Sequence, residues 1–123
     1  MTLQVLYVDD EPDLREVAAM SLELDPELEV RCCGSGAEAL DVLETWQPDL
    51  VLLDMMMPGM DGPTTHAKIV ERFGAALPVV YFTARAEASE RARLITLGAR
   101  GVIAKPFDPM SLAAQVRSFA GND

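Results

Sequence analysis

The feature that most constrains the fold is a set of short, almost wholly apolar runs, each followed at once by a polar side chain. These runs and the residues after them are 3–8 before Asp9 and Asp10, 50–53 before Asp54, 78–82 before Thr83, and 102–104 before Lys105. A strand that is buried on both faces has this composition. The runs therefore predict a parallel sheet with polar groups at the carboxyl ends of its strands.

Segments with helical spacing and helix-start signals separate these runs. In the first of them, which opens at Pro12, the residues expected on one apolar stripe are Leu14, Val17, Ala18, Ser21 and Leu24. A weaker strand is expected at 28–32, and later helices at 36–46, 63–73, 88–97 and from Asp108–Pro109, with capping-box spacing at Ser35–Glu38. Alternating strands and helices predict an α/β fold, a (βα)5 doubly wound parallel sheet with helices on both faces.

Length and composition favour one domain over residues 1–123, since half of the 123 residues are hydrophobic. The sequence has no run of roughly 18 apolar residues and no signal-peptide pattern, so we expect a cytoplasmic protein without a membrane span. Cys32 and Cys33 are adjacent in a predicted strand and point to opposite faces, which would strain a disulfide between them. Both are expected to be reduced packing residues.

Charge is distributed unevenly along the chain. The net charge is −10, to which residues 1–61 contribute −13 and residues 62–123 contribute +3. This balance argues against a general nucleic-acid surface, which needs clustered basic residues. The asymmetry is either a feature that a protein partner recognises or a chance property of a soluble chain. The candidate partner face is the second-half helices, with Arg91, Arg93, Arg100 and Arg117.

The polar residues at the strand ends form a plausible reaction centre if strands one, three, four and five are neighbours. Asp9, Asp10 and Asp54 would repel one another unless a cation compensates them, and Mg²⁺ (or Mn²⁺) is the natural oxygen-ligated ion. Lys105 and Thr83 would then receive the oxygens of a transferring phosphoryl group. Asp54 remains as the nucleophile that forms an acyl phosphate, and a phosphohistidine is a suitable donor.

Four motifs, in this order and spacing, resemble those of the response regulator receiver domain of two-component signalling. They are VDDEP (8–12), LLDMMMPGMDG (52–62), FTARA (82–86) and AKPFDP (104–109). The resemblance extends from residue 3 to about residue 119. It implies a CheY-like single receiver domain with flavodoxin-like strand order 2-1-3-4-5.

The resemblance also implies a role for each site residue. Asp54 would be the phosphoacceptor, and Thr83 and Lys105 would contact the phosphoryl group. Asp10, Asp54 and the Met56 backbone carbonyl would bind Mg²⁺, with Asp9 acting through a water or in the second shell. A cis peptide is implied at Lys105–Pro106.

For function, the resemblance implies a phosphorylation-activated switch and not an enzyme, apart from assisting its own phosphorylation and dephosphorylation. The partners would be a sensor histidine kinase or a histidine phosphotransfer protein, and an unidentified downstream protein. No DNA-binding domain is expected after the last helix, so the chain is either a stand-alone receiver or an excised domain.

Val102 departs from the family pattern, in which Tyr or Phe usually lies three residues before the lysine. We therefore hypothesise that output passes through the loops around Thr83 and Lys105. Identical NMR shifts beyond the pocket, with and without a stable phosphoryl mimic, would contradict this. Met56 and Arg85 flank the phosphoryl site in this family; Met56 is hypothesised to hinder water, so Met56→Asn should shorten the acyl-phosphate lifetime.

Several alternatives remain open from the sequence. Asp9 is either part of the acidic pair or an Asx-type cap, the methionines at 55–57 and 60 are loop and core filler or a partner surface, and His66 is expected to be exposed without a partner. A haloacid-dehalogenase-like phosphatase needs an Asp where Met56 stands. A flavodoxin-like electron carrier needs a neutral phosphate loop where Asp9 and Asp10 stand. A binding module regulated without phosphorylation is the third alternative.

Overall fold

The structure is a computed structural model that describes residues 2–120, in which five strands alternate with five helices. The elements are β1 (Leu3–Val8), α1 (Pro12–Leu22), β2 (Leu28–Cys33), α2 (Gly36–Thr45), β3 (Leu50–Asp54), α3 (Gly62–Phe73), β4 (Val79–Thr83), α4 (Ala88–Thr96), β5 (Gly101–Ala104) and α5 (Leu112–Phe119). The predicted (βα)5 order is therefore confirmed. No helix in this part of the chain has the length and apolar content of a membrane span.

The five strands form one parallel sheet in the order β2-β1-β3-β4-β5, as the resemblance implied. The central strand β3 lies between β1 and β4, with Leu53 opposite Val8 and Asp54 opposite Phe82. Parallel strands place their carboxyl ends at one edge of the sheet. The residues that follow β1, β3, β4 and β5 are thus brought to the same edge.

Side chains that alternate along the strands build two separate cores, one on each face of the sheet. In β4, Val79 and Tyr81 belong to one core and Val80 and Phe82 to the other. Helices α1 and α5 cover the second face, whereas α2, α3 and α4 cover the first. The three-layer arrangement holds the central strands rigidly, because both of their faces are packed.

Helix α1 differs from its predicted apolar stripe. It ends at Leu22, and its buried residues are Ala18, Ser21 and Leu22. Val17 and Leu24, which were expected on the stripe, are 45% and 62% exposed. The prediction is thus confirmed for Ala18 and Ser21, and for Leu14, which packs against the core, and it is wrong for Val17 and Leu24. It also omitted Leu22, which lies one turn after Ala18 and contributes the large buried side chain.

Helix α5 begins at Leu112, later than the predicted start at Asp108–Pro109. The Asp108 carboxylate accepts a hydrogen bond from the Met110 N–H at 3.0 Å, and its carbonyl accepts one from the Ser111 N–H. These local bonds form a turn that replaces the first helical turn. At α2, one of the two hydrogen bonds of a capping box is present: the Ser35 hydroxyl accepts the Glu38 N–H. The Glu38 carboxylate accepts the Gly34 N–H, and not the Ser35 N–H that the box requires.

The two cysteines lie on opposite faces of β2 and both are free, as predicted. Cys33 is buried, but Cys32 is exposed. The expectation that both are packing residues therefore holds for Cys33 alone, because the outer face of this edge strand is only partly covered.

Candidate functional site

Asp54 is the last residue of the central strand, and the fold buries it at the carboxyl edge of the sheet. Asp54 is only 4% exposed to solvent. The start of α3 presses against the same strand end, since a Cβ built on Gly62 would lie 2.6 Å from the Asp54 carbonyl oxygen. Glycine at this position therefore permits the loop after β3 to return close to the carboxylate.

Lys105 reaches Asp54 from β5, across the intervening strand β4. Its Nζ lies 2.9 Å from Asp54 Oδ1 and 3.6 Å from Asp9 Oδ2. Its Nζ also lies over the Phe82 ring, 5.4 Å from the ring centroid. The peptide bond between Lys105 and Pro106 is cis, as the resemblance implied.

Asp9 is fully buried and its carboxylate has several partners. One oxygen accepts the Tyr7 hydroxyl at 2.7 Å, and the other accepts the Glu11 N–H at 3.0 Å. Arg15 donates to the Asp9 carbonyl oxygen at 2.7 Å. The two interpretations left open for Asp9 therefore hold together: it forms a local cap, and its carboxylate also lies close to those of Asp10 and Asp54.

Thr83 closes β4 at the same edge and is 4% exposed. Its Oγ1 accepts a hydrogen bond from the Arg85 backbone N–H at 3.0 Å. Any movement of this hydroxyl toward Asp54 would thus alter a hydrogen bond within the loop between β4 and α4. Val102 is buried on neighbouring β5, and its carbonyl oxygen accepts from Arg91 at 3.1 Å.

The pKa values of Asp54 and Lys105 are shifted because several charged groups are buried close together at this site. Burial is the largest influence on Asp54; with the negative charge of Asp9, it raises the pKa of Asp54 from 3.8 to about 6 against the opposing hydrogen bond from Lys105. Burial also opposes the charge on Lys105, but the hydrogen bond and charge of Asp54, with the charge of Asp9, raise its pKa overall. The site thus lacks positive charge relative to its carboxylates.

An open cleft of about 610 Å³ lies over these groups. Its lining residues are Asp10, Glu11, Asp54, Met55, Met56, Thr83, Ala84, Arg85, Glu90, Arg93 and Lys105. Carboxylate oxygens of Asp9, Asp10 and Asp54 lie within 4.8 Å of one another. This oxygen donor set, short of positive charge, fits a hard divalent cation such as Mg²⁺.

The structure brings together every residue that the sequence placed at this edge. Met56, at the rim, is 73% exposed, while Met57 is buried and Met60 is partly buried against the core. The expectation that these methionines are loop and core residues is therefore met by Met57 and Met60, and by Met55, which is also partly buried against the core.

His66 was predicted wrongly as an exposed residue without a partner. It is 4% exposed, and its Nδ1 lies 2.8 Å from the Tyr81 hydroxyl. The signal was present in the sequence, because His66 shares the helical spacing of the buried residues Gly62, Thr65 and Ile69. Burial lowers the pKa of the His66 imidazole.

The sheet has the flavodoxin-like fold of CheY proteins, with an acidic cluster, a lysine and a hydroxyl at its carboxyl edge. Residues 5–117 match the family described as response regulator receiver domain, and the chain belongs to this family. Its members are phosphorylation-dependent signalling switches rather than classical enzymes, and they bind Mg²⁺ at an acidic pocket.

Similar proteins include response regulators and solved receiver structures. The chain is 39% identical to response regulator Rre1 of Synechocystis sp. (94% of this chain, 51% of that protein) and 35% identical to the DNA-binding response regulator MtrA of Mycolicibacterium smegmatis (96% and 50%). The chain thus spans about half the length of these relatives. The structure of chemotaxis response regulator CheY4 of Vibrio cholerae superposes with a TM-score of 0.87 at 25% identity, covering 97% of this chain and 99% of that one.

Proposed function

We propose that this chain accepts a phosphoryl group on Asp54 from a phosphohistidine of a sensor histidine kinase or a histidine phosphotransfer protein. The observation that carries the proposal is the ammonium of Lys105, 2.9 Å from the Asp54 carboxylate, in a cleft that also contains Asp10 and Thr83. Family membership supports histidine kinases as the class of partner. The chain then signals to a downstream protein by changed contacts.

The chemistry follows from the groups in the cleft. An Asp54 carboxylate oxygen attacks the phosphorus in line, the bond from phosphorus to the donor histidine nitrogen breaks, and that nitrogen keeps the electron pair. With a pKa of about 6, Asp54 is mostly ionised and nucleophilic at neutral pH. Lys105 and Thr83 are suited to donate to the phosphoryl oxygens as negative charge moves onto them.

The metal in this proposal is Mg²⁺ or Mn²⁺, bound by Asp10, Asp54 and the Met56 backbone carbonyl, with Asp9 acting through a water or from the second shell. When bound, such an ion neutralises the charge of the transferring phosphoryl group. Asp9 holds its place through the Tyr7 hydroxyl and the Glu11 N–H, so it can orient the other ligands without binding the ion directly.

Output in this proposal passes through the loops that follow β4 and β5. The Thr83 hydroxyl is bonded to the Arg85 N–H, so its movement toward a phosphoryl group would release this bond and reorganise the loop. Val102 offers no aromatic ring to take part. We further propose that residues 1–123 act as a single receiver domain, in the cytoplasm.

The proposal is tested by incubating the protein with acetyl phosphate and Mg²⁺ and measuring its intact mass. We expect a gain of one phosphoryl group that a chelator prevents and that Asp54→Asn abolishes. Asp49→Asn is a matched control, since it changes an aspartate at the opposite end of β3. A gain that persists in Asp54→Asn, or no gain in the unmodified chain, would falsify the proposal.

A further inference from the structure

The rim of the cleft contains an ion pair that the proposed reaction does not use. Arg93 and Glu90 lie one turn apart on α4, and both line the same cleft as Asp54. Arg93 Nη2 lies 2.8 Å from Glu90 Oε2, and its Nε lies 3.4 Å from Oε1. The guanidinium is therefore held by both oxygens of one carboxylate at the entrance to the acceptor.

The cations that line the cleft differ in what they can offer an incoming anion. Lys105 is already engaged by Asp54 and Asp9. Arg85 pairs loosely with Glu87 at 3.8 Å, and its side chain is 80% exposed. Among the described lining residues, Arg93 thus combines a defined position with freedom from the acceptor carboxylates.

The pair with Glu90 is not strong enough to hold Arg93 permanently. The Arg93 side chain is 50% exposed, and surface ion pairs of this kind are weak because water and salt screen them. A phosphoryl dianion offers the guanidinium two oxygens that can accept parallel hydrogen bonds, with more negative charge than a carboxylate. Exchange of Glu90 for such an anion therefore costs little.

We infer that Arg93 is a positioning residue that selects phosphodonors by their negative charge, and that Glu90 restrains it until a donor enters. The inference rests on the proposed function of Asp54. Arg93 draws a dianionic phosphoryl group toward a cleft whose carboxylates would otherwise repel it. Glu90 keeps the guanidinium at the rim in the resting protein.

Small donors of different charge test this role. Initial rates of Asp54 phosphorylation are measured by intact mass with acetyl phosphate, a dianion at neutral pH, and with phosphoramidate, which carries less net charge. We expect Arg93→Ala to slow the reaction with acetyl phosphate roughly three- to fivefold and to slow the reaction with phosphoramidate less, because its lower net charge weakens the attraction to the guanidinium. Arg93→Lys should restore part of the rate, and high salt should remove the difference.

A double-mutant cycle tests the restraint. Glu90→Gln should raise the acetyl phosphate rate in the unmodified protein but not in Arg93→Ala, if Glu90 acts through Arg93. The matched control is Arg72→Ala, because the Arg72 side chain is 49% exposed and pairs with Glu44 of α2, and neither residue lines the cleft. It should change neither rate.

Three results would overturn the inference: equal slowing of both donors by Arg93→Ala, an equal effect of Arg72→Ala, or a Glu90→Gln gain that persists without Arg93. These outcomes are distinct from failure of the proposed function. In that case the unmodified protein would gain no phosphoryl group at Asp54 with either donor.

Discussion

The chain's two tyrosines lie on opposite faces of the sheet, and each bonds to a titratable side chain. Tyr7 donates to Asp9, whose carboxylate lies beside those of Asp10 and Asp54, whereas Tyr81 pairs with His66 of α3 in the core on the other face. Burial raises the pKa of both phenols, so both remain protonated. One pair thus supports a crowded acidic site, and the other satisfies two polar groups inside an apolar core. Buried polar pairs in this fold therefore differ in role: one orients a residue of the acidic site, and the other satisfies hydrogen bonds within the core.

Among the variants that test this comparison, Lys105→Ala is expected to have the largest effect on stability, because it acts on the acidic site alone. Removing the ammonium leaves Asp9 and Asp54 close together and buried, which should lower the free energy of unfolding by about 3 kcal/mol at pH 7.5 with a chelator present. Chemical denaturation measures this loss, and added Mg²⁺ should recover part of it. Lys68→Ala, an exposed lysine on α3, is the control and should change little. An equal loss in both variants would contradict the role assigned to Lys105.

The same comparison shows what the sequence could and could not predict. Asp54, Thr83 and Lys105 each lie at the end of an apolar strand, and parallel strands place such residues at one edge of the sheet. The adjacency of β3, β4 and β5, which the family resemblance implied, then brings them together. The His66–Tyr81 pair depends instead on how α3 is rotated over the sheet. The helical spacing of His66 with Ile69 indicated burial, but no local pattern indicated which strand residue would face it.

Helix ends were harder to predict for a different physical reason. The late start of α5 depends on side-chain and backbone bonds around Asp108 that compete with the first helical turn. The network of Asp9, shared between Tyr7 and Glu11, joins residues that the sequence showed as neighbours without showing which of them pair. Contacts of this kind require the three-dimensional arrangement.

The second largest effect is expected from Asp54→Asn, which should stabilise the metal-free protein. The folded-state pKa of Asp54 is raised from 3.8 to about 6, so ionisation of this carboxyl destabilises the folded protein. The destabilisation is absent below about pH 4 and complete above about pH 6. The amide should therefore add about 2 kcal/mol at pH 7.5 and little near pH 4. Denaturation midpoints across this range measure the difference. A stabilisation independent of pH would contradict the assignment.

A smaller effect compares the two tyrosines directly. Tyr7→Phe and Tyr81→Phe each remove one buried hydroxyl and should each cost about 1–2 kcal/mol of unfolding free energy, since a buried partner loses its hydrogen bond. Only Tyr7→Phe should also change the rate of Asp54 phosphorylation, because Asp9 belongs to the acidic cluster. If Tyr81→Phe changed that rate equally, the His66–Tyr81 pair would have to be assigned to the reaction as well.

The smallest effect is the pH dependence of the His66–Tyr81 pair, which has the opposite sign to that of Asp54. Burial lowers the folded-state pKa of His66 below 6.5, so stability is complete above the unfolded pKa and falls as pH decreases through 6.5 toward the lower folded value. The measurement uses the Asp54→Asn background, which removes the opposing titration. His66→Asn keeps a polar partner for Tyr81 without a titrating group, and should abolish the loss between pH 7.5 and 5. An unchanged pH profile in His66→Asn would show that another group causes the loss of stability at low pH.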